Sequence, residues 1–429
     1  MSAISDARRI RESLDEQARK LSAHMIEWRH HLHQHPELSN RERETAAFVA
    51  SNLRESGLDE VRTGITGHGV IGVLRGGQAG AGVALLRADM DALPVPDESG
   101  VDFAADVCDT DYPGGPFPVS HACGHDCHVA MLLGAMRVLS AERDHLPGTV
   151  VALFQPAEEG APVPEEGGAR TMLNSGALDD LHPTMAFGMH VQPFPKGVVT
   201  LMTGTQFGAS CMVKIVVTGQ QVHGSTPWAG IDPMPAVGQI LSGIGQIYRQ
   251  IDAFSPFTIS IGHIDDVGRF NVIGKTVTLW GTIRSLDDAV MEQVQQRLAN
   301  LVRGSAMAAG CEATVEYLQP VPAVHNTHQW VEDLTPAIAG VVGHDNIITP
   351  PPTLGYDDVS EFVNKYGGLY VGLGVQDTRF AHGTLEPVPG GRGMVPNHHP
   401  AFYADDDALT LGMRLHVQVA YQHLLSRSH

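Results

Sequence analysis

Apolar residues recur at Leu14, Ala18, Leu21, Met25, Trp28 and Leu32, in steps of four and three, so the chain opens with an amphipathic helix ending near His35-Pro36. A second helix spans about Arg43 to Ser56 and is closed by Gly57. The period then changes, and short apolar runs at Val70 to Leu74 and Val83 to Arg87 predict strands. After His128 the helical period returns, with Val129, Leu132, Leu133, Met136 and Leu139 on one face. Val150 to Gln155 is apolar throughout, as a parallel strand buried on both faces would be. Ala186 to Val191 is another strand-like run, carrying His190 at its end.

Between about Gly204 and Pro320 the pattern reads strand 210–218, helix 233–251, strand 257–264, strand 275–285, helix 287–309 and strand 311–319. The order βαββαβ is the split βαβ, ferredoxin-like arrangement, which would stand as its own small domain. Asp287 and Asp288 in the first turn and Gly310 after the end mark its second helix. Beyond Pro320 the pattern gives a helix near 328–343, a strand at Leu369 to Val375 and a long loop from Gln376 to Pro400. A last helix starts at Asp405 to Asp407 and carries Leu409, Met413 and Leu424 inward. The expected organisation is therefore α/β, with 1–204 and 320–429 forming one domain around an inserted domain at 205–319.

Composition narrows this picture. A chain of 429 residues exceeds the size at which single cores stop growing, in keeping with two domains. Residues Met1 to Lys20 alternate charged and apolar positions without the apolar block of a signal peptide, and no run elsewhere is long enough to span a bilayer. The expectation is a cytoplasmic protein with no membrane partner. A formal net charge of -20, from 28 basic and 48 acidic residues, repels phosphate backbones, so nucleic acid is not an expected partner either. Five cysteines, an odd count in a long chain, argue against a disulfide framework. Cys108, Cys211 and Cys311 are expected to be small buried or half-buried side chains.

The candidate chemistry centres on His121 to His128, which reads His-Ala-Cys-Gly-His-Asp-Cys-His. A polar turn with a helix cap needs no such density of ligands. Cys123 and His125, two apart at a helix entry, can converge on one cation. Asp89 and Asp91 face one side at the carboxyl end of a strand, where Asp91 can orient a metal-binding His or reach toward the cations. Glu158 and Glu159 follow another strand end, one able to ligate and the other left free for acid/base work. His190 and one of His398 and His399 complete a possible five-ligand set for two divalent cations, which could polarise a carbonyl and activate a water for amide hydrolysis. His30, His31, His33 and His35 point in several directions around a helix, which suits exposed or capping roles. Taken alone, His223, Asn271 and Arg284 read as a loop His, a turn Asn and a strand-end Arg.

The ordered series resembles a known superfamily. It runs from Trp28-Arg29 and His33-Gln34-His35-Pro36-Glu37-Leu38, through Arg87 to Pro94, the His121 segment and Gln155 to Glu159. It continues through Phe187 to Val191, Asn271-Val272-Ile273 and Gly281 to Arg284. It is similar to the metal-dependent amidohydrolases of the aminoacylase and carboxypeptidase-G superfamily, in the subgroup of hippurate hydrolases and indole-acetyl-amino-acid hydrolases. The resemblance implies a mixed-sheet, metallopeptidase-like catalytic domain and an enzyme cleaving small N-acyl amino acids. It implies two divalent ions held by Cys123, His125, Glu159, His190 and His398, with Glu158 as general base. His398 fits better than His399 because the pattern continues with Pro400 and Phe402. The inserted domain would be a dimerisation lid whose His223 reaches the partner's site, while Asn271 and Arg284 hold the substrate's carboxylate or polarised oxygen.

The metal itself is left open by these donors: manganese or zinc comes first, cobalt or nickel next. Departures from the family pattern at Gln221-Val222-His223, Pro227-Trp228 and Gly355-Tyr356-Asp357-Asp358-Val359 bear on the substrate. They keep a second reading open, removal of an amine or carbamoyl group from another small, aromatic substrate. A catalytically silent metal-binding protein is the third, which an intact Glu158 disfavours.

Overall fold

The structure, a computed structural model, describes residues 3–163 and 165–428. Met1, Ser2, Pro164 and His429 lie outside them, the first two at the head of the N-terminal stretch read above. In chain order the main elements begin with helices α1 (Ala3–Gln34) and α2 (Arg43–Glu55) and strands β1 (Glu60–Ile65), β2 (Gly69–Arg75) and β3 (Gln78–Asp89). Helix α3 (His125–Ala141) and strands β4 (Pro147–Gln155), β5 (Met185–Pro195) and β6 (Val199–Thr200) follow. Then come β7 (Ala209–Thr218), α4 (Met234–Ile247), β8 (Phe257–Asp266), β9 (Thr276–Ser285), α5 (Asp288–Ala308) and β10 (Glu312–Val321). The chain closes with α6 (His328–Val342), β11 (Ile347–Ile348), β12 (Gly368–Gln376) and α7 (Leu409–Ser426).

These elements divide into two compact units. The first comprises residues up to Gly204 with Asn326–Pro350 and Glu361–His429; the second comprises Thr205–His325 with Pro351–Ser360. The return of 351–360 to the second unit has a local cause: Thr353 bridges to Phe207, and Gly208 donates to the carbonyls of both Thr353 and Gly355.

The first unit is built on a mixed eight-stranded sheet in the order β1-β2-β4-β3-β5-β12-β6-β11. Strands β4, β3, β5 and β12 run parallel, so their carboxyl ends come together at one edge of the sheet. Strand β12 is buried along its whole length and β4 over its last six residues, as strands covered on both faces must be. Helices α1, α3 and α7 pack on one another, and α3 and α7 also pack on β3. This arrangement alters the expected one-sided helix. Residues of α3 are buried around its full circumference, including Ala130, Met131, Ala135 and Val138, because neighbours cover it on several sides. Within α7 even Arg414 is buried, and its guanidinium forks onto Asp15 of α1 at 3.0 and 2.6 Å.

Other differences from the sequence reading are local. Strand β5 runs on to Pro195, so His190 lies within it rather than at its end. The loop 376–400 contains a hairpin, Thr378–Ala381 against Thr384–Pro387, closed by His382 and Gly383, both at positive φ, the backbone that a tight two-residue turn requires. His33 is buried rather than exposed, and Cys108 is exposed rather than buried. Edge strand β1 has too few apolar residues to announce itself.

The second unit is a four-stranded antiparallel sheet in the order β8-β9-β7-β10. Its core joins Val213, Ile215 and Val217 of β7 to Ile240 of α4 and Leu298 of α5. Asp287 caps α5 by accepting from the Val290 amide at 3.0 Å. Among the described residues of the molecule, no helix is long and apolar enough to cross a membrane.

One glycine carries the parallel pairing of β5 with β12. Gly368 has φ +125°, and a Cβ there would sit 1.8 Å from the Ala186 carbonyl oxygen. Gly368→Ala must therefore displace backbone, and a loss on the order of 2–4 kcal/mol is expected, read as a lower unfolding midpoint. An unchanged midpoint would show that the two strands can shift without cost.

Candidate active site

The parallel strands deliver their polar residues to one place. Asp89 ends β3 and Asp91 follows two residues on, Glu158 and Glu159 follow β4, and His190 projects from β5. Helix α3 begins among them, with Cys123 just before its first turn and His125 in it. Gly124 between these two has φ +87°, and a Cβ there would meet Val191 Cγ2 at 2.3 Å. Only glycine allows this left-handed entry, which lets a thiol and an imidazole two apart face the same centre.

Cys123 Sγ lies 3.3 Å from His190 Nε2. His190 Nδ1 is 2.7 Å from the Val191 carbonyl oxygen, which can only accept, so the ring proton sits on Nδ1 and Nε2 presents its lone pair to the thiol. His398 Nε2 lies 3.2 Å from Glu159 Oε1. Its backbone, at φ +69°, donates to the Ala122 carbonyl at 2.8 Å, while Asn397 Nδ2 reaches the carbonyls of Cys123 at 3.1 Å and Val191 at 3.2 Å. The neighbouring His399 instead accepts from the Ala401 amide at 3.0 Å and turns away. Among the ligand triads these side chains form are Cys123 with His125 and His190, and Cys123 with Glu159 and His398, each with donor atoms within 4.8 Å of one another. These two share the thiol.

His128, the third histidine of the segment, has both nitrogens engaged. Nδ1 lies 2.6 Å from Asp89 Oδ1, and Nε2 accepts the Val191 amide at 2.9 Å. An acceptor at Nε2 places the proton on Nδ1, so this ring ties β3 to β5 and leaves no lone pair for an ion. His125 is the opposite case. It is fully buried, and neither ring nitrogen has a hydrogen-bond partner. Nδ1 stands 3.4 Å from Asp91 Oδ1; Nε2 stands 3.8 Å from Glu158 Oε2 and 3.9 Å from Glu159 Oε1.

Electrostatics point the same way. Burial pushes the His125 imidazole down, but Asp89, Asp91 and Glu159 outweigh it and lift it to about 10. Burial, then Glu159, Glu158 and Asp89, push the Cys123 thiol well above its usual range. Burial also works against ionising Asp89, yet Arg87, His125 and His128 hold its carboxyl well below the usual range. The cluster therefore demands positive charge in a dry place. An orphaned imidazole, a thiol among carboxylates and two triads of soft and borderline donors fit a pair of divalent cations, which would also ionise the thiol.

Asp91 does not face the triads alone. Its two oxygens accept the backbone amides of Glu158 at 3.1 Å and Glu159 at 3.0 Å, and the Ser39 hydroxyl at 2.6 Å. Sequence reasoning reached the acid pair but missed this support. It also missed buried Arg87, which donates to Asp89 at 2.5 Å and Gln155 at 2.9 Å, and the group around Asp126. There Asp126 accepts from Arg29 at 2.9 Å and from His33 at 2.8 Å, and His33 Nε2 is 3.0 Å from Asp97. Arg87 could have been found as a charge two residues before Asp89 in an apolar strand, where burial forces pairing.

His223, Asn271 and Arg284 belong to the second unit. His223 is exposed on a two-residue ladder, paired with Val272, next to Asn271. Its Nδ1 accepts from the Ser225 amide at 3.0 Å, leaving Nε2–H as an outward donor. Arg284 is half-buried near the end of β9, its guanidinium 4.4 Å from the centre of the Tyr356 ring. The ladder lies beside the end where Thr218 pairs with Thr276, whereas Arg284 pairs with Ser210. Arg284 stands eight positions along β9 from Thr276, or about 27 Å. One copy of the sheet thus carries these groups at opposite ends.

Comparison with known proteins gives one consistent picture. Residues 85–422 match the family described as Peptidase family M20/M25/M40. The chain is 34% identical to thermostable carboxypeptidase 2 of Saccharolobus solfataricus over 95% of this chain and 98% of that protein. It is 30% identical to N-acetylcysteine deacetylase of Bacillus subtilis, over 92% and 96% of the two chains. Its structure is similar to that of the Bacillus subtilis YXEP protein, described as a dinuclear metal binding peptidase from the M20 family. That match has a TM-score of 0.73 at 27% identity, covering 95% of this chain and 99% of that one.

The bridging role of His128 is testable without any substrate. His128→Phe keeps a ring of similar size but strands the buried Val191 amide and removes a donor from Asp89. A loss of about 1–3 kcal/mol in denaturant unfolding is expected. Stability equal to that of the parent would mean the ring only fills space.

Proposed function

The chain belongs to peptidase family M20/M25/M40 and is a metal-dependent amidohydrolase, and we propose that it cleaves the amide bond of small N-acyl amino acids. The observation that carries this reading is a second carboxylate at the edge of the thiol-sharing ligand triads. Glu158 belongs to neither of the triads that share Cys123, yet its Oε2 stands 3.8 Å from His125 Nε2 at their edge.

In this reading Cys123, His125 and His190 hold one cation, and Cys123, Glu159 and His398 the other. Two divalent cations bound there supply Lewis acidity, polarising the carbonyl and making water a better nucleophile. Glu158 takes the proton as the water oxygen bonds to the carbonyl carbon, then delivers it to the leaving nitrogen as the C–N bond breaks. Asp91 keeps Glu158 and Glu159 aimed through their backbone amides. Arg284 is the reader of the amino acid's carboxylate, for which its planar fork is suited. Tyr356, stacked on it, lies in the segment that departs from the family pattern, so acceptable amino acids would be set there.

The second unit acts as a ferredoxin-like lid and dimerisation module; its β8-β9-β7-β10 strand order supports the ferredoxin-like part of this reading. His223 and Asn271 lie too far from Arg284 in one copy for all three to serve one small substrate. The site is therefore completed in trans, with the partner's His223 donating Nε2–H to the developing oxyanion.

Turnover should be measured on hippurate, N-acetyl amino acids, a carbamoyl amino acid and an aromatic amine, each with manganese or zinc. Hydrolysis of the acyl amino acids is expected, and Glu158→Ala should lose at least about 100-fold in kcat while retaining two metal ions. Turnover of the carbamoyl or aromatic amine compounds alone overturns the substrate class. A Glu158→Ala protein of near-parental activity overturns the base.

Mixing tests the dimer. Glu158→Gln and His223→Ala proteins, each inactive, should regain up to about a quarter of parental activity when refolded together, since half the dimers are mixed and one of their two sites is intact. No gain despite proven mixed dimers means that His223 does not act across the interface.

A further inference from the structure

Four consecutive residues between α1 and α2 hold the segment that bears Glu158, three of them directly and Ser39 through Asp91. Ser39 donates to Asp91 at 2.6 Å, Asn40 Nδ2 to Glu165 at 3.1 Å, and Arg41 forks onto Glu165 at 2.8 and 3.0 Å. The fourth, Glu42, is wholly buried, and its Oε1 accepts the Ala157 amide at 2.8 Å as well as the Asn40 amide at 3.0 Å. Three successive amides, those of Ala157, Glu158 and Glu159, are thus held by two buried carboxyl groups, Glu42 and Asp91. Ala157 needs holding. Its φ is +55°, a left-handed conformation that costs a non-glycine residue on the order of 1 kcal/mol, and it directly precedes Glu158.

We propose that Glu42 is a positioning residue for the general base, holding Ala157 in its left-handed conformation through the 157 amide and thereby aiming Glu158. This rests on the reading of Glu158 given above. The hydrogen bond needs only an acceptor oxygen, and the second oxygen of Glu42 has no partner. Burial, then the Asp91 charge, push this carboxyl up to about 8. A neutral acceptor of the same shape therefore does the same work. Left-handed backbone is also what glycine adopts freely, so the function of Glu42 becomes dispensable once residue 157 is glycine.

The test uses the metal-loaded full chain and two readouts. The first, hydrogen exchange of the 157 amide, requires no substrate: it should accelerate at least about 10-fold in Glu42→Ala and stay protected in Glu42→Gln. The second is turnover of N-acetyl amino acids. Glu42→Ala should lose about 10- to 100-fold in kcat with KM and metal content little changed, and Glu42→Gln should stay within about 3-fold of the parent. Adding Ala157→Gly to Glu42→Ala should recover most of the loss. Should Glu42→Ala fail to fold, Glu42→Met, which keeps the volume, takes its place. The proposal is overturned by an unprotected 157 amide in Glu42→Gln, by unchanged exchange in Glu42→Ala, or by a glycine that restores nothing. Glu158→Ala, measured alongside, keeps the two readings apart: if it is active the base assignment fails, whereas if it is inactive and the glycine restores nothing, only the clamp fails.

Discussion

Buried negative charge is the constraint on which the site depends. Asp89 and Asp91 have essentially no exposure, and a carboxylate in such a place is sustained only by donors and opposite charge. Each has been given its own. Asp89 takes Arg87 and His128; Asp91 takes Ser39 and two backbone amides. Since those donors come from β3, α3, the segment after α1 and the segment after β4, satisfying the two acids fixes how these elements meet. What remains at the centre is His125, surrounded by acids and bonded to none of them.

Left-handed backbone recurs around the same centre. Gly124 stands between two ligand candidates, Ala157 immediately precedes the glutamate pair, and His398 is itself a candidate, and all three have positive φ. Left-handed residues are held where surrounding contacts over-determine them. Here those contacts are the hydrogen bonds of Glu42, Asp91, Asn397 and the Ala122 carbonyl. The side chains that would meet ions are thus aimed by backbone conformation, while neighbouring acids and amides hold that conformation in place.

The second unit works by different physics. Its sheet is a self-sufficient hydrophobic construction, and His223 and Arg284 sit at opposite ends of it on half-buried or exposed positions. Neither belongs to its hydrophobic core. Polar residues that stand on the rim of a rigid sheet are suited to a partner or a substrate.

The sequence by itself determined the period of nearly every long element, the βαββαβ order of the second unit and the density of ligands at His121 to His128. These are local properties, written in spacing and residue type within a few tens of positions. Tertiary structure alone decided that His128 of that segment is not free for an ion, because it is used up by an aspartate 39 positions earlier and an amide 63 positions later. It also decided that His33 is buried, that α3 is covered on all sides and that Glu42 reaches Ala157 across 115 residues. A polar residue in a sequence carries no mark of burial. Only the packing of distant elements excludes water around it, and exclusion of water is what turns an ordinary acid or imidazole into a group that must find a specific partner.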